Sequence, residues 1–415
     1  QRMARMLLDN LNLLRRLAWR NLWRHKRRTY IMLVAISLGT WFMLFTAAFV
    51  RGMIEQQLHD AIYTLTGHVQ IHQEKYRDDP AIEHSMSPPG TGLRQALDDE
   101  RISQWSSRVR LPAVIISERE SRGTTLVGID PEREQGMSFI GEPIQLGRNL
   151  ESVEDSGVVI GRRMAERLQT KIGRRIVIMA QDANGDVADR GFRIVGLFTA
   201  ELEATETAYV FTGRQVAQQM LKMGDRISEI EIITGSREKL QQLTDKLRSA
   251  APELEIKDWQ ELQPLLVATV EFYDAFMIIW YLIVFLAMSF GLVNTLLMAV
   301  FERTRELGLF QALGMRPRYI VGQVMFESVI LMVLGLVVGN LLSWLSVIAL
   351  ADGLDLSQFA QGLEQFSMPT VLKLAVTFQD VVTANLLVIG LTLIASLYPA
   401  WRAARYVPVE AITRT

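Results

Sequence analysis

The chain has 415 residues, 49% of them hydrophobic, with 44 Lys and Arg against 45 Asp and Glu and no cysteine. The missing cysteine excludes disulfides, cysteine-held metals and thiol nucleophiles, while the near-neutral balance says little about partners, nucleic acid not being expected among them. Length alone would allow two or three soluble domains, but the apolar residues are concentrated in four runs free of Asp, Glu, Lys and Arg. Each is long enough to cross a hydrocarbon core of about 30 Å, which needs about 20 helical residues.

Residues 1–28 come first. Leu7, Leu11, Leu14, Ala18 and Leu22 share one helical face, and basic residues crowd the rest. The segment reads as an amphipathic helix in the headgroup layer, with Trp19 and Trp23 suited to the interface. The first apolar run, 29–50, exceeds the hydrophobic stretch of a signal peptide and has no small-residue cleavage pattern after it, so a retained span is expected.

Residues 51–274 read as a mixed α/β domain, large enough for two subdomains. "GHVQIH" alternates like a strand, and "PGTGLRQALDDERISQW" reads as loop and helix. "GVVIGRRMAERLQTKIGRRIVIMAQDANGDVADRGFRIVGLF" reads as strand, helix, strand, turn, strand, with Asn184-Gly185 as the hairpin signal. "EIEIIT" and "LEIKDW" flank a helix as a small β-α-β unit, and from Trp259 a helical pattern runs into the second span.

Three features of this domain suggest chemistry, and each has a plainer reading. Asp182, Asn184 and Asp186 resemble the start of a calcium loop, but Arg193 stands where the twelfth-position glutamate would be. His68 and His72 would share a strand face; with no third ligand nearby, a surface pair is expected. Ser, His and Asp occur without a nucleophile elbow or an H-E-x-x-H pattern, so no catalytic residue and no metal ligand is assigned.

The remaining spans are 275–301, 327–351, in which Glu327 stands at the cytoplasmic face before the charge-free run 328–351, and 381–401. Asn294, Asn340, Ser343 and Asn385 within them, with Ser289 and Thr295, are polar groups that require partners in a bundle, and Gly335 and Gly339 form a G-x-x-x-G pattern for close helix packing. Basic residues set the orientation. Residues 1–28 hold nine Lys or Arg against Asp9, the loop from Glu302 to Ile320 holds four and the tail 402–415 three, whereas the loop 352–380 holds only Lys373 against four acidic residues. Both ends and the segment 302–326 are thus expected in the cytoplasm, with 51–274 and 352–380 on the other side. The fold class is a four-span helical membrane protein, one span before and three after an inserted α/β domain.

The stretch "ERTRELGLFQALGMRPR" uses far more than a turn requires. Leu307, Phe310 and Leu313 fall at i, i+3 and i+6 on one face of a short helix, Glu302, Arg303, Arg305 and Glu306 lead it, and Gly314 and Pro317 mark its end. That composition suits a helix docking into a partner's groove. With "LAWRNLWRHKRRTYIMLVAISLG" and "YPAWRAARYVPVEAIT", this stretch resembles the FtsX-like, MacB-type (type VII) ABC permeases, and the 51–274 segment resembles their lipoprotein-releasing LolC/LolE group.

The resemblance implies that Glu302 to Gly314, including Gly308, is a coupling helix inserted into a separate ATP-binding subunit, with Arg303, Arg305 and Glu306 as polar anchors. No G-x-x-x-x-G-K-[ST] phosphate loop occurs, so ATP and Mg would belong to that partner, and this chain carries no cofactor or enzyme activity of its own. It further implies an ATPase dimer, a second permease copy or paralogue packed in part through Asn294, contact with membrane lipids, a periplasmic carrier or adaptor, and a place in the bacterial inner membrane. The function implied is ATP-driven mechanotransmission releasing lipoproteins or similar lipidated cargo. The alternatives are MacB-like efflux through an adaptor and outer-membrane duct, or activation of a cell-wall hydrolase without transport.

Overall fold

The computed structural model describes residues 23–24, 26–200, 203–235, 240–313, 315–359 and 371–405. The amphipathic helix expected at the start therefore lies almost wholly outside the described residues. By contacts the chain divides into two units, 56–269 with 357–370 forming one and the remainder the other.

In chain order the elements are α1 (Lys26–Tyr63), β1 (Val69–His72), α2 (Thr91–Leu97), β2 (Ile102–Ile116), β3 (Ser121–Ile129), α3 (Pro131–Glu134), β4 (Leu146–Gly147), β5 (Gly157–Gly161) and α4 (Arg162–Arg167). Then follow β6 (Arg175–Gln181), β7 (Val187–Phe198), α5 (Glu203–Ala208), β8 (Tyr209–Gly213), α6 (Arg214–Met220), β9 (Glu229–Thr234), α7 (Leu240–Ala250), β10 (Glu255–Asp258) and α8 (Trp259–Leu262). The chain ends with α9 (Pro264–Glu302), α10 (Thr304–Ala312), α11 (Pro317–Ala349), the small β11 (Leu354–Asp355) and β12 (Val371–Leu372), and α12 (Phe378–Ala404).

The α/β unit holds two cores joined by one long strand. In the first, β1 lies between β9 and β10, antiparallel to both, so the β-α-β unit read from the sequence is split by a strand from nearly 160 residues earlier in the chain. Helices α2 and α7 supply Leu93, Leu97, Leu243 and Leu247 to pack with Val69, Ile71, Ile230 and Ile232. In the second, β2, β3, β8, β5, β7 and β6 pair in succession and β6 returns to β2, which closes a barrel. Closure leaves these strands no free edge. Inward residues of every strand fill it, among them Leu111, Ile115, Leu126, Ile160, Ile178, Phe192 and Val210. The β6–β7 hairpin turns at Gly185 with φ +84°, a conformation that costs glycine little.

Strand β2 also carries Arg108, fully buried, whose guanidinium donates to Glu134 at 2.8 and 2.6 Å and pairs with Glu231 on β9. Ser138 donates to Glu134 as well. Burial alone would push the Glu134 carboxyl up; the guanidinium of Arg108 and the hydrogen bonds outweigh it and hold it below the ordinary carboxylate range.

The histidines are not a surface pair. His68 and His72 are 5% and 0% exposed, because β1 is an interior strand covered on both faces. Burial lowers the His72 imidazole despite a Glu255 oxygen 3.2 Å from its Nδ1. The acidic turn is likewise spent internally. Asp182 accepts from the backbone of Asn184 and Asp186 at 2.8 and 3.1 Å, and Lys222 stands 2.6 Å from its other oxygen.

Among the described residues, four helices lying wholly or mostly in the other unit are long and apolar enough to cross a membrane: Thr29–Tyr63, Pro264–Glu302, Pro317–Ala349 and Phe378–Ala403. Each exceeds the apolar run read from the sequence, since a helix need not stop where its apolar residues do. The two glycines of the G-x-x-x-G pattern face α1. A Cβ at Gly339 would stand 2.7 Å from that of Thr40, and one at Gly335 would overlap Ile36. Small residues here let α11 approach α1 closely. Asn340 and Asn385 exchange hydrogen bonds of 2.8 and 3.1 Å between α11 and α12, and Trp41 donates to Ser346 at 2.9 Å. Ser289 and Thr295, expected to seek partners across the bundle, bond instead to carbonyls four residues back on α9. Arg51 binds both oxygens of Asp380 at 2.5 and 2.7 Å, tying α1 to the capped start of α12.

Candidate coupling site

The charged stretch after α9 folds as local rules dictate. At Arg303 the backbone leaves the helical line of α9 with φ −104° and ψ 7°. The Thr304 hydroxyl donates back to the carbonyls of Phe301 and Val300 at 2.8 and 3.2 Å. Helix α10 then runs to Ala312, with Glu306 in its first turn, where a carboxylate suits the helix dipole. Arg316 is extended and Pro317 opens α11 at a position where the missing N–H costs nothing.

The structure divides the expected site residues into two sets. Arg305 and Glu302 are exposed, Leu313 is 77% exposed, and Leu309, off the face read from the sequence, is 52% exposed. Gly308 is buried. The side chains of Leu307 and Phe310, and all of Gly314, lie outside the described residues. Glu306 pairs with Arg24 at 2.8 Å across an exposed gap, which links α10 to the residues just before α1.

Arg303, expected as an anchor for a partner, is turned inward. It is 8% exposed and donates to Glu327 of α11, 6% exposed, at 3.1 Å. Around the elbow, Val300, Ile320 and Ala403 form a small core with Met315 and Val324, and the Arg402 guanidinium lies 5.1 Å from the Phe301 ring centre. The sequence marked both charges, but left Glu327, at the start of the third span, open between reaching the headgroups and a switching role. The missed signal was a lone carboxylate within an apolar helix, which burial permits only beside a cation.

Asn294 sits exposed on α9 and makes no hydrogen bond among the described residues. Its neighbours along that face are large and apolar, with Phe290 at 75% and Met298 at 61% exposure.

Comparison with known families decides the class. The MacB-like periplasmic core domain matches residues 29–250, more than half of the chain, and the FtsX-like permease C-terminal domain matches residues 278–408. The chain belongs to the FtsX-like, MacB-type ABC permeases. Among similar permeases, the lipoprotein-releasing system transmembrane protein LolC of Xylella fastidiosa is 22% identical over 404 residues, covering 92% of each chain. LolE of Haemophilus influenzae is 21% identical over 397 residues, again 92% of each. The macrolide export ATP-binding/permease protein MacB of Syntrophobacter fumaroxidans is 29% identical over 194 residues, 44% of this permease but 24% of that protein.

Proposed function

We propose that this permease subunit transmits the strokes of a separate ATP-binding subunit to its α/β domain and so releases lipoproteins from the inner membrane. The observation that carries the reading is its similarity to LolC and LolE along nearly the whole of both chains, whereas the match to MacB is confined to a quarter of that larger protein. Helix α10 is the docking element, lying between two apolar helices with Leu309 and Leu313 presented outward. On the charge rule α10 faces the cytoplasm and the α/β domain the periplasm. ATP and Mg act in the partner. This chain's own part is to bind that partner through α10, hold a second permease copy or paralogue along α9, and pass motion through the helices.

The test is affinity purification of the chain from its native membrane with mild crosslinking, followed by mass spectrometry. An ATPase recovered with lipoproteins or a lipoprotein carrier is the expected result. An adaptor with an outer-membrane duct would favour efflux, and a cell-wall hydrolase would favour signalling without transport.

A further inference from the structure

The elbow between α9 and α10 contains more than a turn needs. Of its charged residues, Arg303 alone is withdrawn from solvent, and it meets Glu327 three turns into α11. An exposed ion pair such as Arg24–Glu306 is screened and readily exchanged, so it holds helices together only loosely. A buried pair is different. Separating its members, or removing one, strands a charge in apolar surroundings, so the two residues move together. Val300 and Val324, three residues before Arg303 and Glu327, pack together with Ile320, Met315 and Ala403 in one small apolar core.

We propose that the Arg303–Glu327 pair is the joint through which α10 moves α11, a positioning element distinct from the surface that binds the ATPase. The inference rests on the reading of α10 as the docking helix. Arg303 is the first residue of the elbow and precedes α10 directly, so displacement of α10 acts first on its backbone. Its side chain passes that displacement to α11 at Glu327. Two turns further, α11 is locked to α1 by the close contacts at Gly335 and Gly339, and to α12 by the reciprocal amides of Asn340 and Asn385. A push on α10 thus reaches three helices through one ion pair. With 8% and 6% exposure, neither charge is presented to a partner, whereas Arg305, Leu309 and Leu313 are.

The joint is tested in the assembled permease–ATPase complex in lipid, with Arg303→Gln, Glu327→Gln and the charge-swapped double variant Arg303→Glu/Glu327→Arg. Both single variants are expected to retain the ATPase and its ATP hydrolysis while lipoprotein release falls about tenfold, the double variant returning release to within about twofold. A second measurement needs no cargo. The chain has no cysteine, so spin labels at Ala312→Cys and Ile348→Cys report the distance between α10 and the far end of α11. In the unsubstituted joint that distance stays narrow and unchanged on adding ATP; in either single variant it broadens or shifts, and the swap restores it.

Loss of the ATPase from the single variants would make Arg303 a docking contact and overturn the proposal. Unchanged release and unchanged distances in the single variants would overturn it too, as would a swap that binds ATPase but restores neither. If the unsubstituted complex releases no lipoprotein, the functional reading falls, and the label distances still decide the joint.

Discussion

One residue on α10 and the one at its C-cap carry the docking reading at the smallest scale. Leu309 and Leu313 are exposed, so Asp at either position costs the fold within about 0.5 kcal/mol, as for ordinary surface changes. Leu313→Asp is expected to abolish copurification of the ATPase from membranes that still contain the permease at normal levels. In the α/β domain the sensitive residue is Arg108. Replacing it with Met leaves Glu134 and Glu231 buried without their cation and should cost about 3–5 kcal/mol, whereas Met at 108 with Leu at both 134 and 231 should recover most of that loss. Denaturant unfolding followed by tryptophan fluorescence measures both. Protonation adds a pH dependence of known sign. His72 is held neutral by burial, so its contribution is complete above its ordinary value of 6.5 and is lost as pH falls below it. Glu134, held ionised, contributes above its ordinary 4.5 and that contribution is lost as pH falls further. The thermal midpoint of the α/β domain should therefore drop between about pH 7 and about pH 5, and His72→Gln should flatten that slope whatever it does to the midpoint itself. None of this was legible in the sequence. His68 and His72 looked like a surface pair because alternation shows which residues share a face of a strand and cannot show that both faces are covered.

Among the four long apolar helices, α9 is the one least covered by the rest of the described chain. Phe272, Ile279, Ile283, Phe290 and Met298 lie exposed along a helix whose 39 residues extend about 58 Å, and Asn294 interrupts them. A side-chain amide in hydrocarbon needs a hydrogen-bonding partner. A photocrosslinking residue placed at Phe290 should yield an adduct with a second permease chain, and an adduct with lipid alone would remove α9 from the subunit interface. Helix α11 makes the opposite kind of contact, intimate and within the chain. Leu at Gly339 would drive a side chain into Thr40 and the Ser37 carbonyl and should destabilise the bundle by about 1–3 kcal/mol, read as a lower unfolding temperature in detergent. The G-x-x-x-G spacing announced such packing, though not that α1 would be the partner. The end of α10 was legible too, because Gly314 and Pro317 mark it, whereas its start was read at Glu302 and is set two residues later by the turn at Arg303.

On the scale of the whole molecule, each unit combines local certainty with a long-range choice. The sequence by itself determined four apolar helices, the one-plus-three order around an inserted domain, the hairpin at Gly185 and the short charged helix. All follow from hydropathy, turn chemistry and helix breakers, which act over a few residues or along one continuous run. Only the tertiary structure decided that β1 separates β9 from β10, that β6 closes a barrel onto β2, and that Arg303 turns inward to Glu327. Each of those joins residues far apart in the chain, from 24 between the two charges to about 185 between β1 and β10. Local periodicity is indifferent to such pairings. They are set by which buried charge must find a counter-charge and which strand edge must find a neighbour once the apolar faces have closed.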